Sequence, residues 1–175
     1  IHPLVTGSAI FLIGTGPSPT TLAGAKCNPF FFSVSWPQDR EKTGNPESGR
    51  PFAAQWANNL DNPANKSFVA AFEKTYGYPP TPYAAMGYEA ARLIASAVRA
   101  RGDTLADRAA LRAALRRADF RSIRGGFKFN NNQFPIQDRI QVRSTRRADG
   151  ARISRFVRIL ATMRGDRHAV NCAMK

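Results

Sequence analysis

Between Asn62 and Ile94 the chain carries two consecutive helical repeats separated by prolines, and any fold it adopts must supply a surface for both. Asn62 is a good N-cap, and Pro63 suits the first helical position, where the amide hydrogen it lacks would have no partner anyway. Phe68, Ala71, Phe72 and Tyr76 then recur at three- and four-residue spacing, which gathers them on one apolar stripe, and Gly77 can close the helix in the left-handed conformation. Beyond Pro79, Pro80 and Pro82, the residues Met86, Ala90, Leu93, Ile94, Ala97 and Val98 repeat the helical period. A second helix follows, and it too must bury a face. Two helices cannot cover both stripes alone, so a sheet is expected beneath them.

The start of such a sheet is visible upstream. Ala9-Ile10-Phe11-Leu12-Ile13 is a short apolar run ending at Gly14-Thr15-Gly16-Pro17-Ser18-Pro19-Thr20-Thr21, and it reads as a strand buried on both faces. The loop after it lies at a strand's carboxyl end, where open α/β sheets place their ligands. No Gly-Lys-Ser/Thr follows these glycines, so they do not make a phosphate loop. Cys27 to Trp36 reads as a second strand, and Phe30-Phe31-Phe32 fits either core packing, the commoner use, or a platform for stacked bases. Downstream, Thr104 is placed to cap a third helix that buries Leu111, Ala114, Leu115 and Ala118 and turns Arg108, Arg112 and Arg116 to solvent. Asn130-Asn131-Asn132 suits a tight turn, and Ile140–Val142 begins a strand that returns beyond Asp149-Gly150 as Ile153–Leu160, a basic hairpin.

At 175 residues and 43% hydrophobic content, the chain suits one domain with a core and is too short for two large lobes. It has no apolar run approaching the ~20 residues of a membrane helix, and Ile1–Gly7 lacks the basic start and apolar centre of a signal peptide. Lys and Arg number 26 against 12 Asp and Glu, a formal charge of +14 concentrated after Arg92. That excess reads either as a footprint for nucleic acid or an anionic surface, or as solvated faces written in arginine, the commoner use of a charge run. Cys27 and Cys172 have no metal-ligand spacing and either form one disulfide across a long loop or are two buried thiols. Catalytic constellations are missing: His2 and His168 stand alone and no nucleophile elbow occurs. Glu89 is expected to be exposed and paired with Arg92 on its own helix. Binding without chemistry is the class that remains, with no cofactor or metal.

Several segments carry a resemblance. Asn62-Pro63-Ala64-Asn65-Lys66, Tyr76-Gly77, Pro79-Pro80, Tyr83 with Tyr88-Glu89-Ala90-Ala91, Cys27-Asn28-Pro29-Phe30-Phe31-Phe32, Arg124-Gly125-Gly126-Phe127-Lys128-Phe129-Asn130 and Phe134-Pro135-Ile136-Gln137-Asp138 resemble the leucine/isoleucine/valine-type substrate-binding proteins of bacterial ABC transporters, which have the type I periplasmic-binding-protein fold. The resemblance implies an α/β fold, a three-layer, mostly parallel sheet with flanking helices forming one incomplete lobe over residues 1–175, with a C-terminal β-hairpin. A relative would carry a second lobe between Gln38-Asp39-Arg40 and Phe52–Trp56, where this chain has only a polar loop at 41–51. The first strands of the first lobe, which would precede Ala9, are also expected to be missing. By resemblance the protein is periplasmic and serves a membrane permease of an ABC transporter, with a branched-chain or related amino acid or small organic acid as ligand. Gly16 and Ser18 fall where the family holds the ligand's amino and carboxylate groups, with Thr15 and Thr20 as neighbours, and Tyr83 falls at its aromatic contact. Against these roles stand a turn with a helix cap at Ser18 and an aromatic packed on prolines at Tyr83. With one lobe absent, weakened binding is expected. A basic nucleic-acid or anionic-surface module is the alternative; nucleic acid is the less favoured partner.

Overall fold

The computed structural model describes residues 7–40, 49–102 and 104–174, so most of the polar loop expected at 41–51 lies outside the described residues. The elements run β1 (Leu12–Gly14), α1 (Thr20–Ala23), β2 (Phe31–Ser33), β3 (Phe52–Ala54), α2 (Pro63–Tyr76), α3 (Pro82–Arg101), α4 (Arg108–Arg117), β4 (Phe127–Phe129), β5 (Pro135–Arg146) and β6 (Arg152–Arg164). Short 3-10 turns lie at Gln38–Arg40 and Ala169–Asn171.

The two helices around the proline turn form as their ends dictate. Asn62 Oδ1 accepts from the Asn65 amide at 2.8 Å, Pro63 takes the first position, and Gly77 closes α2 with φ 76°. At α3 the cap is Thr81, whose Oγ1 accepts from the Ala84 amide at 3.3 Å. The third helix starts later than Thr104. That hydroxyl is taken up at the end of α3, donating to the Arg101 carbonyl at 2.7 Å, and Asp107 caps α4 by accepting from the Ala110 amide at 2.9 Å.

One core gathers Phe68 of α2, Met86, Ala90, Leu93 and Ala97 of α3, and Ala114 and Leu115 of α4 around Phe32, Val34, Trp56 and Ile123. The buried face of α3 is rotated from the purely apolar stripe: Glu89 and Ser96 are buried while Ile94 and Val98 are exposed. The start of α2 is tied to the chain before it by Asn65, which is fully buried. Its Oδ1 accepts from Trp56 Nε1 at 2.7 Å, and its Nδ2 faces the carbonyls of Asn58 and Leu60, each at 3.1 Å.

Two sheets lie against this body. β1 and β2 pair in parallel, Leu12 with Phe31 through Gly14 with Ser33. β2 is buried on both faces: Phe32 enters the main core, and Phe31 joins Ala23 and Phe134 in a second cluster. The phenylalanines are therefore packing residues. The second sheet has the order β3-β5-β4, with β6 also on β5, and all its pairs are antiparallel. The α/β class and the C-terminal hairpin are present, but the sheet is not mostly parallel. Among the described residues the parallel ladder is that of β1 with β2, extended by an isolated bridge between Ser18 and Pro37, whereas β4, β5 and β6 are joined by tight turns, and a tight turn can only return a strand antiparallel. The Asn130–Gln133 turn is not simply a surface turn. Asn132 and Gln133 are buried, and Gln133 Nε2 donates to the Phe31 carbonyl at 2.6 Å.

Cys27 and Cys172 form a disulfide, 145 residues apart in sequence, which ties the C-terminal turn to the segment after α1.

Replacing Asn65 by Leu strands Trp56 Nε1 and two backbone carbonyls in the interior and is expected to destabilise the fold by about 2–4 kcal/mol in urea unfolding. A change below about 1 kcal/mol would show that water reaches these groups. Cys27→Ser with Cys172→Ser, measured the same way, is expected to remove about 2–5 kcal/mol, since the cross-link constrains most of the unfolded chain.

Candidate ligand-binding site

A cavity of about 540 Å³ lies between the helical body and the antiparallel sheet. One wall is the carboxyl end of the parallel pair: Thr15, Gly16 and Pro17 after β1, and Ser35 and Trp36 after β2. The proline turn and the start of α3 add Pro80, Thr81, Pro82, Tyr83 and Met86. The facing wall is β3 with Gln55 and Trp56, together with Ser144, Arg152, Ile153 and Ser154 near the tip of the β5–β6 hairpin. The volume falls in the range of small-molecule sites, and the lining mixes aromatic and apolar side chains with a few hydroxyls, an amide and a guanidinium.

The hairpin is pinned where it meets the body. Asn58 exchanges two hydrogen bonds with Ser154, its amide donating to the Ser154 carbonyl at 3.0 Å and its Oδ1 accepting from the Ser154 amide at 2.9 Å. Asn58 Nδ2 also donates to the Pro80 carbonyl at 2.9 Å, so the same side chain fixes the proline turn. Nearer the tip, Arg147 reaches Glu73 of α2 at 2.6 Å.

Beneath the cavity floor lies a buried polar network. Glu89 and Arg124, each side chain 1% exposed, pair at 2.9 Å through Oε2 and a guanidinium nitrogen. Glu89 also accepts from the Ile123 amide at 2.7 Å and from the Ser122 hydroxyl at 2.9 Å. Glu89 is thus not an exposed partner of Arg92. A carboxylate on this buried face needs a cation, and the loop after α4 brings one across 35 residues. Arg124 Nη1 in turn donates to the Val34 carbonyl at 2.9 Å and to Gln55 Oε1 at 3.2 Å.

Of the residues singled out in the sequence, Gly16 and Tyr83 line the cavity, as does Thr15, and Tyr83 is 79% exposed at its edge. Ser18 is not among the lining residues. It is buried, its Oγ sits 3.4 Å from the Gly16 carbonyl, and a Cβ added to Gly14 would meet that oxygen at 3.2 Å, so the side chain packs back on the end of β1. Its backbone bridges to the Pro37 segment, with the Gln38 amide donating to the Ser18 carbonyl at 2.9 Å. Thr20 opens α1, away from the lining. Sequence reasoning passed over Ser35, Trp36, Gln55, Trp56 and the hairpin residues; a signal was available in the two tryptophans, the chain's full complement, each following a polar residue at a strand's end. Among the described residues, no group of His, Cys, Asp and Glu is placed to hold a metal ion. Several of the arginines have structural partners: Arg112 on Gln133 at 2.8 Å, Arg158 on Gln141 at 2.9 Å, and Arg139 over the ring of Trp36.

A family model described as periplasmic binding protein matches residues 36–150. The solute-binding protein of an ABC transporter from R. palustris, solved in complex with benzoate, superposes on this chain with a TM-score of 0.82 at 17% identity, covering 98% of this chain and 76% of its own. A branched-chain amino acid ABC transporter periplasmic ligand-binding protein from Burkholderia xenovorans LB400 gives 0.72 at 13% identity, covering 99% and 77%. The solute-binding protein from Rhodopseudomonas palustris BisB5 in complex with 3,4-dihydroxy benzoic acid gives 0.58 at 19% identity, covering 93% of this chain and 48% of that one. At these identities the likeness is one of fold. No match is found among curated proteins.

The Glu89–Arg124 pair carries a direct expectation. Glu89→Gln leaves a buried guanidinium uncompensated and is expected to cost about 3–5 kcal/mol in urea unfolding, whereas Glu89→Leu combined with Arg124→Met recovers a large part of that loss.

Proposed function

Because this chain belongs to the periplasmic binding protein family, we propose that it captures a small organic acid in the cavity between its helical body and its β5–β6 hairpin, as the substrate-binding component of an ABC transporter in the periplasm. The observation that carries this reading is the coincidence of Gly16 and Tyr83, both expected at a ligand site, on one cavity with Trp36, Trp56 and Met86. Apolar side chains on several sides suit a flat or branched hydrocarbon body, and the hydroxyls with Arg152 suit a carboxylate at one end. Aromatic acids are favoured over branched-chain amino acids, in keeping with the benzoate and 3,4-dihydroxy benzoic acid bound by two proteins of similar fold. A membrane permease would then receive the ligand.

The chain serves as a single lobe in this proposal, with the 41–51 loop standing where relatives carry a second. The hairpin, through Ser144 and Arg152–Ser154, takes over part of the opposite wall. One short wall excludes less water than a closing lobe, so affinity is expected on the order of 0.1–1 mM, about −4 to −5.5 kcal/mol. Both tryptophans of the chain line the cavity, which makes their emission a direct reporter. Titration with benzoate, phenylalanine and leucine is expected to give a saturable change for benzoate first. Low-micromolar binding would show that the hairpin encloses the ligand fully. No change up to about 10 mM, a free energy weaker than about −3 kcal/mol, would overturn the reading.

A further inference from the structure

The polarity of the buried network fixes a proton at the cavity wall. Glu89, ionised, can only accept, and Arg124 can only donate, so the oxygen of the Gln55 amide must be the atom facing Nη1 of Arg124 at 3.2 Å. Gln137 Nε2, 2.9 Å from the same oxygen, agrees with that orientation. The Gln55 nitrogen is therefore turned to Ser35, where Nε2 donates to Oγ at 3.0 Å. A hydroxyl that accepts still carries its own proton, and among the described residues no group accepts the proton of Ser35. Ser35 is 2% exposed and lines the cavity.

We propose that Ser35 is the residue that binds the ligand's carboxylate, its hydroxyl proton held toward the cavity by the chain running from Glu89 through Arg124 and Gln55. The proposal rests on the cavity being an organic-acid site and names the group within it that reads the charge. Each dipole of the chain is aligned the same way, with its positive end toward the cavity, and aligned hydrogen bonds strengthen one another. Among the described lining residues there is no carboxylate to repel an anion, and Arg152 stands on the hairpin wall. Gln55 and Arg124 are positioning residues; Ser35 makes the contact. Ser18, the hydroxyl expected from the sequence, is displaced from this role by its packing against Gly14.

The test compares benzoate with benzyl alcohol, a neutral molecule of nearly the same shape, by tryptophan emission in the whole chain. Ser35→Ala is expected to weaken benzoate binding by about tenfold or more, the effect of one hydrogen bond to a charged group, and benzyl alcohol by less than about threefold. Gln55→Met, which leaves the serine rotor unfixed, is expected to weaken benzoate by about threefold with the melting temperature of Ser35→Ala and wild type as reference. Equal losses for both ligands in Ser35→Ala would mark a packing effect and overturn the proposal, as would unchanged benzoate affinity. If wild type responds to benzyl alcohol but not benzoate, the carboxylate reading fails while the cavity stands. If it responds to neither, the cavity's function falls and this inference with it.

Discussion

The ion pair of Glu89 with Arg124 is the point on which the other contacts depend. A carboxylate and a guanidinium that are both removed from water would cost several kcal/mol each if left alone, so they are tolerated where each meets the other and most of their remaining donors and acceptors are paired, Arg124 Nε being the buried donor left over. Glu89 is met by Ser122, by the Ile123 amide and by Arg124, and Arg124 goes on to Val34 and Gln55. Five segments of the chain are thereby held in one geometry: α3, the loop before β4, the end of β2, the residue after β3, and, through Gln137, β5. The cavity floor is the outer surface of this assembly. A rigid floor matters to a binding site because the entropy of ordering it is spent in folding and is not charged to each ligand.

The helical half of the molecule could be read from the sequence because its determinants are local. Asn62, Pro63 and Gly77 act within a few residues of themselves, and the spacing of Phe68, Met86, Ala90 and Leu93 marks the centre of each buried face, although Ala71, Tyr76, Ile94 and Val98 of the same stripes are exposed. The failures have long-range causes. Glu89 was expected in solvent because its nearest cation in sequence is Arg92, whereas its partner lies 35 residues on. Thr104 is a local exception: its hydroxyl is taken by the Arg101 carbonyl three residues before it, and Asp107 caps α4 instead. The mostly parallel sheet is what the family resemblance implies; the continuous apolar run describes β1 and β2, and the hairpin pattern read at Ile140–Leu160 describes the antiparallel β5 and β6.

The same division separates what was legible of the site. Gly16 and Tyr83 sit at the ends of local elements, and both line the cavity. Ser18 shares the composition that marks such a loop, yet composition does not say which hydroxyl faces the cavity; contact with Gly14 and the Pro37 segment decides it. Ser35 and Gln55 acquire meaning only once β2 and β3 are placed against the same network, 20 residues apart in sequence. The sequence shows the hairpin only as a basic one. That its tip forms a wall follows from the paired bonds of Asn58 with Ser154, which no pattern in either segment announces.

The arginine excess can now be divided by what the individual side chains do. Arg124 builds the floor, Arg112 holds the buried Gln133, Arg139 covers Trp36, and Arg147 fastens the hairpin to α2. A guanidinium suits each task because it offers several donors in a plane and never loses its charge, so it can satisfy carbonyls and amides inside the protein where a lysine would satisfy fewer. These side chains are occupied with the fold, which removes them from any continuous basic face. Across the hairpin Arg143 lies opposite Arg155 and Arg146 opposite Arg152, and there too guanidinium groups are held, Arg146 donating to the Gly150 carbonyl at 3.0 Å and Arg152 to the Ser144 hydroxyl at 3.4 Å. That placement lines the hairpin's exposed strands with charge, which blunts an edge that could otherwise pair with another chain.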